Sequence, residues 1–113
     1  MLPIHKIHAG RRDGFDIRFE FHPEETHPAD SFDDGHDVRQ YIYEIETGQL
    51  EWFWVECIAS LNEVDLGTDS LGGCLYPSFE QFVIDNDYAQ DMIDQAVTQA
   101  RQAVEDILEK ISA

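Results

Sequence analysis

The chain has 113 residues and carries 24 Asp and Glu side chains against 7 Lys and Arg, which gives a formal net charge of −17. This length fits a single domain, 1–113. So large an excess of negative charge disfavours direct binding to nucleic acid or to an anionic membrane face. No apolar run is long enough to span a membrane and the N-terminus has no signal-peptide stretch, so we expect a cytoplasmic protein without membrane contact.

The first third of the chain predicts one strand between two irregular segments. Residues 1–14 show no hydrophobic period and are predicted to form an N-terminal arm. The segment FDIRFEF, 15–21, alternates apolar and polar residues, which predicts a half-buried strand. Residues 22–37 contain prolines, a glycine and many carboxylates, and are predicted to be a solvated acidic loop.

The middle of the chain predicts the rest of a sheet. VRQYIYEIE, 38–46, is rich in β-formers and predicts a strand that ends in a turn at Thr47 to Gln49. LEWFWVECIAS, 50–60, is apolar on both faces, as a central strand would be. A turn at Asn62 and Glu63 leads into a shorter fourth strand, 64–70, that ends at the glycine corner of SLGGCLY.

The C-terminal third has a helical period. Ser78 and Gln81 match a capping box that opens a short helix, and Asp87 opens a longer one over 88–111, about 36 Å long. Either this helix lies across one sheet or part of it extends beyond the sheet and pairs with a second copy in a homodimer. The predicted class is therefore α+β: an antiparallel sheet of three to four strands, followed by a short helix and a long C-terminal helix.

The two cysteines, Cys57 and Cys74, are too few for a disulfide framework and are predicted to be reduced thiols. Cys74 lies near a predicted helix start, which favours a nucleophile, but Asp69 and Glu80 are its nearest charges and carboxylates raise a thiol pKa. All five histidines fall within the first 36 residues. We therefore expect a buried, inert thiol and no enzymatic activity.

A metal site in the acidic loop is the next alternative. His22, His27 and His36 with the loop carboxylates suit zinc or nickel, but their spacings do not place two imidazoles on one helix or strand face. The run DSFDDGHD departs from a calcium loop, because Phe32 and Tyr41 fall where oxygen ligands are required. The sequence therefore predicts a hydrated loop, with no metal and no cofactor.

The carboxylates of the C-terminal half form the predicted partner-binding site. They recur at helical spacing, and a rise of about 6 Å from i to i+4 is comparable with the spacing of phosphates along nucleic acid. Because residues 40–100, between Arg39 and Arg101, contain neither Lys nor Arg, the expected partner is a basic protein. An ordinary solvated helix face is the alternative. The residues are Asp85, Asp87, Asp91, Asp94, Glu105 and Glu109.

The segments LGTDSLGGCLYPSFEQFV, 66–83, and YAQDMIDQA, 88–96, resemble small acidic proteins encoded by phages, prophages and plasmids. Size, acidity and the α+β layout also resemble anti-CRISPR proteins, several of which imitate nucleic acid. The resemblance implies a non-enzymatic phage inhibitor that blocks the basic nucleic-acid-binding surface of a host defence protein or complex. It assigns no site residue. An antitoxin or immunity protein against a basic nuclease and a homodimeric structural protein are the alternatives.

Overall fold

The computed structural model describes residues 2–28, 38–84 and 87–112. Within these ranges the chain forms four strands and three helices, and the predicted α+β class is confirmed. The strands lie in the order β1-β2-β3-β4 and each neighbouring pair is antiparallel. The elements are β1 (His5–Arg12), β2 (Phe15–Pro23), α1 (Val38–Glu46), β3 (Glu51–Leu61), β4 (Val64–Tyr76), α2 (Phe79–Ile84) and α3 (Asp87–Ser112).

The core lies between the sheet and α3. Alternate residues of β2 and β3 point to this inner face, as the sequence predicts for β2. The apolar stripe of α3 covers them, which gives a two-layer domain. The buried inner-face residues of the two strands are Phe15, Ile17, Phe19, Phe21, Phe53, Val55, Cys57 and Ala59, and those of the helix are Ala89, Met92, Ile93, Ala96, Val97 and Ala100.

The short helix α2 closes one end of this core. Ser78 caps it, since the backbone N–H of Gln81 donates to the Ser78 Oγ at 3.0 Å, which confirms the predicted cap. Phe82 is fully buried and meets the ring of Phe53 edge to face, at 5.9 Å between centroids. The aromatic residues just after the last strand therefore seal the end of the sheet opposite its hairpin turns.

The predicted N-terminal arm is wrong, because residues 5–12 form the edge strand β1. Ile7 and Ala9 pack against the core from this strand, but the inward-facing neighbours at its ends are His5 and Arg12. A shift of register between His8 and Arg11 further interrupts the alternation. Polar residues on the inner face and a bulge thus interrupt the alternation of apolar and polar residues by which a strand is recognised in a sequence.

The predicted strand at 38–46 is also wrong, because this segment is the helix α1. Its apolar residues Val38, Tyr41, Ile42 and Ile45 are spaced i, i+3, i+4 and i+7, which is the amphipathic helix pattern. The helical period overrides the β propensity of the individual residues. The turn predicted at Thr47 to Gln49 lies at the C-terminal end of this helix, where Gly48 has a φ of +80°.

The fourth strand is longer than predicted and the glycine corner is absent, since β4 runs on to Tyr76. The glycines form a bulge inside the strand: Phe53 pairs with Cys74, whereas Val55 pairs with Leu71. Gly73 has a φ of +65°, and its N–H donates to the Glu24 side chain at 2.7 Å. The Asn62–Glu63 turn and the central position of β3 are as predicted.

The predicted acidic loop lies only partly within the described chain. His22 and Pro23 belong to β2, and residues 29–37 lie outside the described residues. In the ranges that the structure describes, no helix is both long and apolar enough to cross a bilayer.

Candidate functional site

The predicted partner-binding carboxylates lie along one side of α3. At about 100° per residue, all of those described fall within a narrow sector opposite the buried stripe, and all are exposed. We call this surface the carboxylate face, and its residues are Asp87, Asp91, Asp94, Glu105 and Glu109. The sixth predicted residue, Asp85, lies outside the described residues.

The carboxylate face is divided into two groups. About 16 Å of helix rise separates Asp94 from Glu105. Arg101 lies between them and forms an ion pair with Asp13 in the β1–β2 turn. Asp94 is itself bound by Arg12, at 2.6 Å between Nη1 and Oδ1, so it fixes the helix to the end of β1.

The other four carboxylates of the face have no ion-pair partner within the described ranges, namely Asp87, Asp91, Glu105 and Glu109. Two unpaired charges therefore lie near each end of the helix.

Internal ion pairs use most of the positive charge of the protein. All four arginines other than Arg39 contact a carboxylate, whereas Lys6, Arg39 and Lys110 have no such contact in the described part of the chain. The surface negative charge therefore has few cations beside it. The pairs are Arg11–Asp16, Arg12–Asp94, Arg18–Glu20, Arg18–Asp65 and Arg101–Asp13.

A groove of about 570 Å³ lies on the outer face of the sheet, which is the face turned away from α3. Its cations are Arg11 and Arg18, and both already hold a carboxylate of the groove, Asp16 and Asp65 respectively. The hydrogen bonds of Asp65 raise the pKa of Arg18, and those of Arg18 hold the pKa of Asp65 below its ordinary value. Neither guanidinium is free to bind an anion there.

Cys74 is suited to packing. Cys74 is only 4% exposed. This burial, together with a smaller contribution from Glu24, raises the pKa of the Cys74 thiol to about 12. Its Sγ lies 3.6 Å from the carbonyl oxygen of Leu71. A nucleophilic cysteine requires a pKa lowered toward neutrality, so the environment of Cys74 works against that chemistry. The expected burial of this thiol is confirmed.

A group of metal-ligating side chains lies on the outer face, at a place that the sequence reasoning missed. A ring nitrogen of His22 and one carboxylate oxygen each of Glu20 and Glu56 lie within 4.8 Å of one another. By sequence, His22 belongs with the loop histidines His27 and His36; His27 is exposed, and His36 lies outside the described residues. The alternation of β2 places residues 20 and 22 on one face and could have paired Glu20 with His22, but it gives no signal for Glu56 on β3.

The end of α3 forms an exposed apolar surface. Ile107, Leu108 and Ile111 are 48%, 56% and 74% exposed, and Leu61 and Val64 of the β3–β4 hairpin are exposed beside them. A groove of about 310 Å³ runs between the hairpin and the helix. We call these five residues the apolar end.

Comparisons of this chain with family models, with curated proteins and with solved structures gave no match.

Proposed function

We propose that the protein is a non-enzymatic acidic inhibitor of phage or mobile-element type, which covers the basic nucleic-acid-binding surface of a host defence protein in the bacterial cytoplasm. The observation that supports this proposal most is the carboxylate face. Four of its carboxylates have no described counter-ion, while the arginines nearby are paired within the protein. A basic partner supplies the missing cations.

The geometry of the face fits a surface built for phosphates. Within each group, neighbouring carboxylates are about 4.5 to 6 Å apart along the helix, a spacing that arginines and lysines arranged along a nucleic-acid strand can meet. The net charge of −17 adds a long-range attraction that speeds the encounter with a basic protein and weakens with salt.

The test is a phage challenge of bacteria that carry a Type I or Type II interference system and express the protein. We expect the wild type to restore plaque formation, because the defence complex can no longer hold nucleic acid. The variant that neutralises the four unpaired carboxylates should lose at least tenfold of this effect. Its substitutions are Asp87→Asn, Asp91→Asn, Glu105→Gln and Glu109→Gln.

A matched control removes the same amount of charge elsewhere. It should inhibit like the wild type if the face binds the partner, whereas equal losses in both variants would show that only total charge matters. Failure of the wild type to protect phage in either system contradicts the proposal. The control substitutions are Glu25→Gln, Glu46→Gln, Glu51→Gln and Glu63→Gln.

An antitoxin or immunity protein would use the same carboxylate face against a basic nuclease. Rescue of cells from a cognate toxic nuclease, without any effect on interference, would favour this alternative. Both functions require a basic partner, so the phage challenge and the nuclease rescue, run in parallel, decide between the inhibitor and the antitoxin.

A second candidate function, a homodimer, is favoured by the apolar end. The apolar stripe of α3 continues through Ile107 and Ile111 after the last fully buried position, Ala100. A second copy can cover this stripe with the same residues, as two-fold symmetric interfaces do. In this function the partner is a second copy of the chain, and the measurement that tests it is the oligomeric state of the protein in solution.

A further inference from the structure

We propose that Glu20, His22 and Glu56 bind a divalent transition-metal ion on the outer face of the sheet. We call these three residues the Glu-His-Glu cluster. The site lies on the opposite side of the sheet from the carboxylate face and is independent of the proposed inhibitor function.

The sheet itself brings the three ligands together. Glu20 and His22 are two residues apart on β2 and therefore share a face, and Glu56 of β3 stands directly opposite Glu20 in the strand register. Their candidate ligand atoms all lie within 4.8 Å of one another. Zinc bonds to nitrogen and oxygen are about 2.0–2.2 Å, so ligands of one ion lie about 3–4 Å apart, and small side-chain rotations suffice to reach that geometry.

His22 gives an independent indication of a ligand. The residue is only 8% exposed, and its Nε2 is buried without a hydrogen-bond partner among the described residues. Buried polar atoms are nearly always paired, and an unpaired one requires an explanation. The ring stacks on Trp54 at 4.0 Å between centroids and 11° between planes, which fixes the imidazole plane. A ring nitrogen held this way can donate its lone pair to a cation.

The electrostatics of the cluster also favour a cation. Two carboxylates directly opposite each other on neighbouring strands repel, and this arrangement is unfavourable without a counter-ion. Arg18 contacts Glu20, at 2.7 Å between Nε and Oε2, but Glu56 has no ion-pair or hydrogen-bond partner in the described ranges. The Arg18 contact leaves the second oxygen of Glu20 available and orients the carboxylate, as outer groups do around metal ligands.

The ligand set indicates the class of ion. One imidazole with two carboxylates suits zinc and the neighbouring first-row divalent ions, whereas calcium takes oxygen ligands alone. Three protein ligands leave at least one coordination position open. Zinc is the first probe because it binds such sites more tightly than manganese or iron.

The test is a calorimetric titration of the metal-free protein with zinc chloride, followed by cobalt as a spectroscopic probe. We expect one zinc ion per chain, and cobalt absorption typical of nitrogen and oxygen ligands. Glu56→Gln keeps the size of a partly exposed side chain and removes its charge, so it should fold and lose at least tenfold in zinc affinity. Glu51→Gln, on the same strand, is the matched control and should bind like the wild type.

A second measurement distinguishes the cluster from the histidines of the loop. In a nitrogen-15 NMR spectrum the imidazole of His22 should shift on zinc addition in the wild type, and His27→Ala with His36→Ala should leave this shift unchanged. Absence of zinc binding, equal affinity in Glu56→Gln, or loss of binding in the loop variant would each overturn the proposal.

Discussion

Arg18 lies at the centre of the polar outer face of β2, where its guanidinium holds two carboxylates. It binds Glu20 on its own strand and Asp65 at the start of β4, both at hydrogen-bond distance. Because β3 lies between these strands, the pair with Asp65 spans the width of the central strand. Arg18 therefore ties β4 to β2 and also orients one ligand of the Glu-His-Glu cluster.

This ion pair should make stability depend on pH at the acid end. The pKa of Asp65 is lowered in the folded protein, mainly by the hydrogen bond from Arg18. A lowered carboxyl pKa gives stability that is fully present above the unfolded pKa, about 3.8, and is lost as the pH falls through the folded value. Because the Asp65 side chain is 51% exposed, we expect at most about 1 kcal/mol from the pair at pH 7.

Urea unfolding of the wild type and of Asp65→Asn, at pH 7 and again near pH 2, measures this contribution. The variant should be less stable at neutral pH, and the difference should disappear in acid. Glu63→Gln, an exposed neighbour without a described ion pair, should show no such pH dependence. A constant difference between wild type and Asp65→Asn at all pH values would contradict the role of the charge.

Single residues could be predicted where the cause is local. The Ser78 cap and the buried thiol of Cys74 follow from a few neighbouring residues, and both are confirmed. The Glu-His-Glu cluster could not be predicted, because Glu56 joins it through the register of β3 against β2 and not through its spacing in the sequence.

The helix α3 and the strand β4 approach each other closely at Gly67. A Cβ at Gly67 would collide with the carbonyl oxygen of Ala96 and would lie 2.7 Å from the backbone nitrogen of Ala100. The N–H of Thr68 also donates to the side-chain oxygen of Gln99, at 3.2 Å. Glycine on the strand and alanines on the helix therefore let the two backbones approach closely.

Replacing this glycine should push the helix away from the sheet. We expect Gly67→Ala to lower the free energy of unfolding by about 1–3 kcal/mol or more, because the obstructing atoms belong to the backbone and cannot rotate away. Gly72→Ala is the matched control in the same strand: its Cβ would meet only the end of the Glu24 side chain, at 3.4 Å. Urea denaturation of both variants checks this. Equal stability of Gly67→Ala and the wild type would show that the elements are not in contact there.

The elements predicted correctly have a period that one buried face imposes. Strand β2 alternates and α3 repeats every three or four residues, because one side of each is in the core. The two elements predicted wrongly, β1 and α1, lie at the edge of the fold and not in the middle of its core. Strand β1 is an edge strand with polar residues on its inner face, which weakens its alternation. The helix α1 does have a helical period, but it is only nine residues long and rich in β-formers, so its composition competes with its period.

The helix α3 is exposed over its last turns, and the molecule is elongated. Its principal extents are 58 × 27 × 24 Å, and the last turns of the 26-residue helix carry no buried residue. Of the two alternatives for this helix, the one in which part of it extends beyond the sheet is consistent with these exposed last turns. The unpaired carboxylates and the apolar end lie on different sides of the same helix, so one element offers both a charged surface and an apolar one.

Salt should change the strength of the two associations proposed for α3 in opposite directions. A complex through the carboxylate face joins opposite charges and should weaken as salt screens them. Two copies joined through the apolar end are held by apolar burial and opposed by the repulsion of two chains of charge −17 each. Salt relieves that repulsion, so self-association should strengthen.

Light scattering at low and high salt tests the homodimer. The wild-type mass should rise from the monomer value of 13.0 kDa toward twice that value as protein and salt concentrations increase. Ile107→Ser with Leu108→Ser removes apolar area from the proposed interface and should keep the chain monomeric at the same concentrations. Ile84→Ser, at an exposed apolar residue of α2 outside the apolar end, should dimerise like the wild type. A wild-type protein that stays monomeric at every salt concentration would exclude the homodimer and leave the carboxylate face as the surface through which α3 meets another molecule.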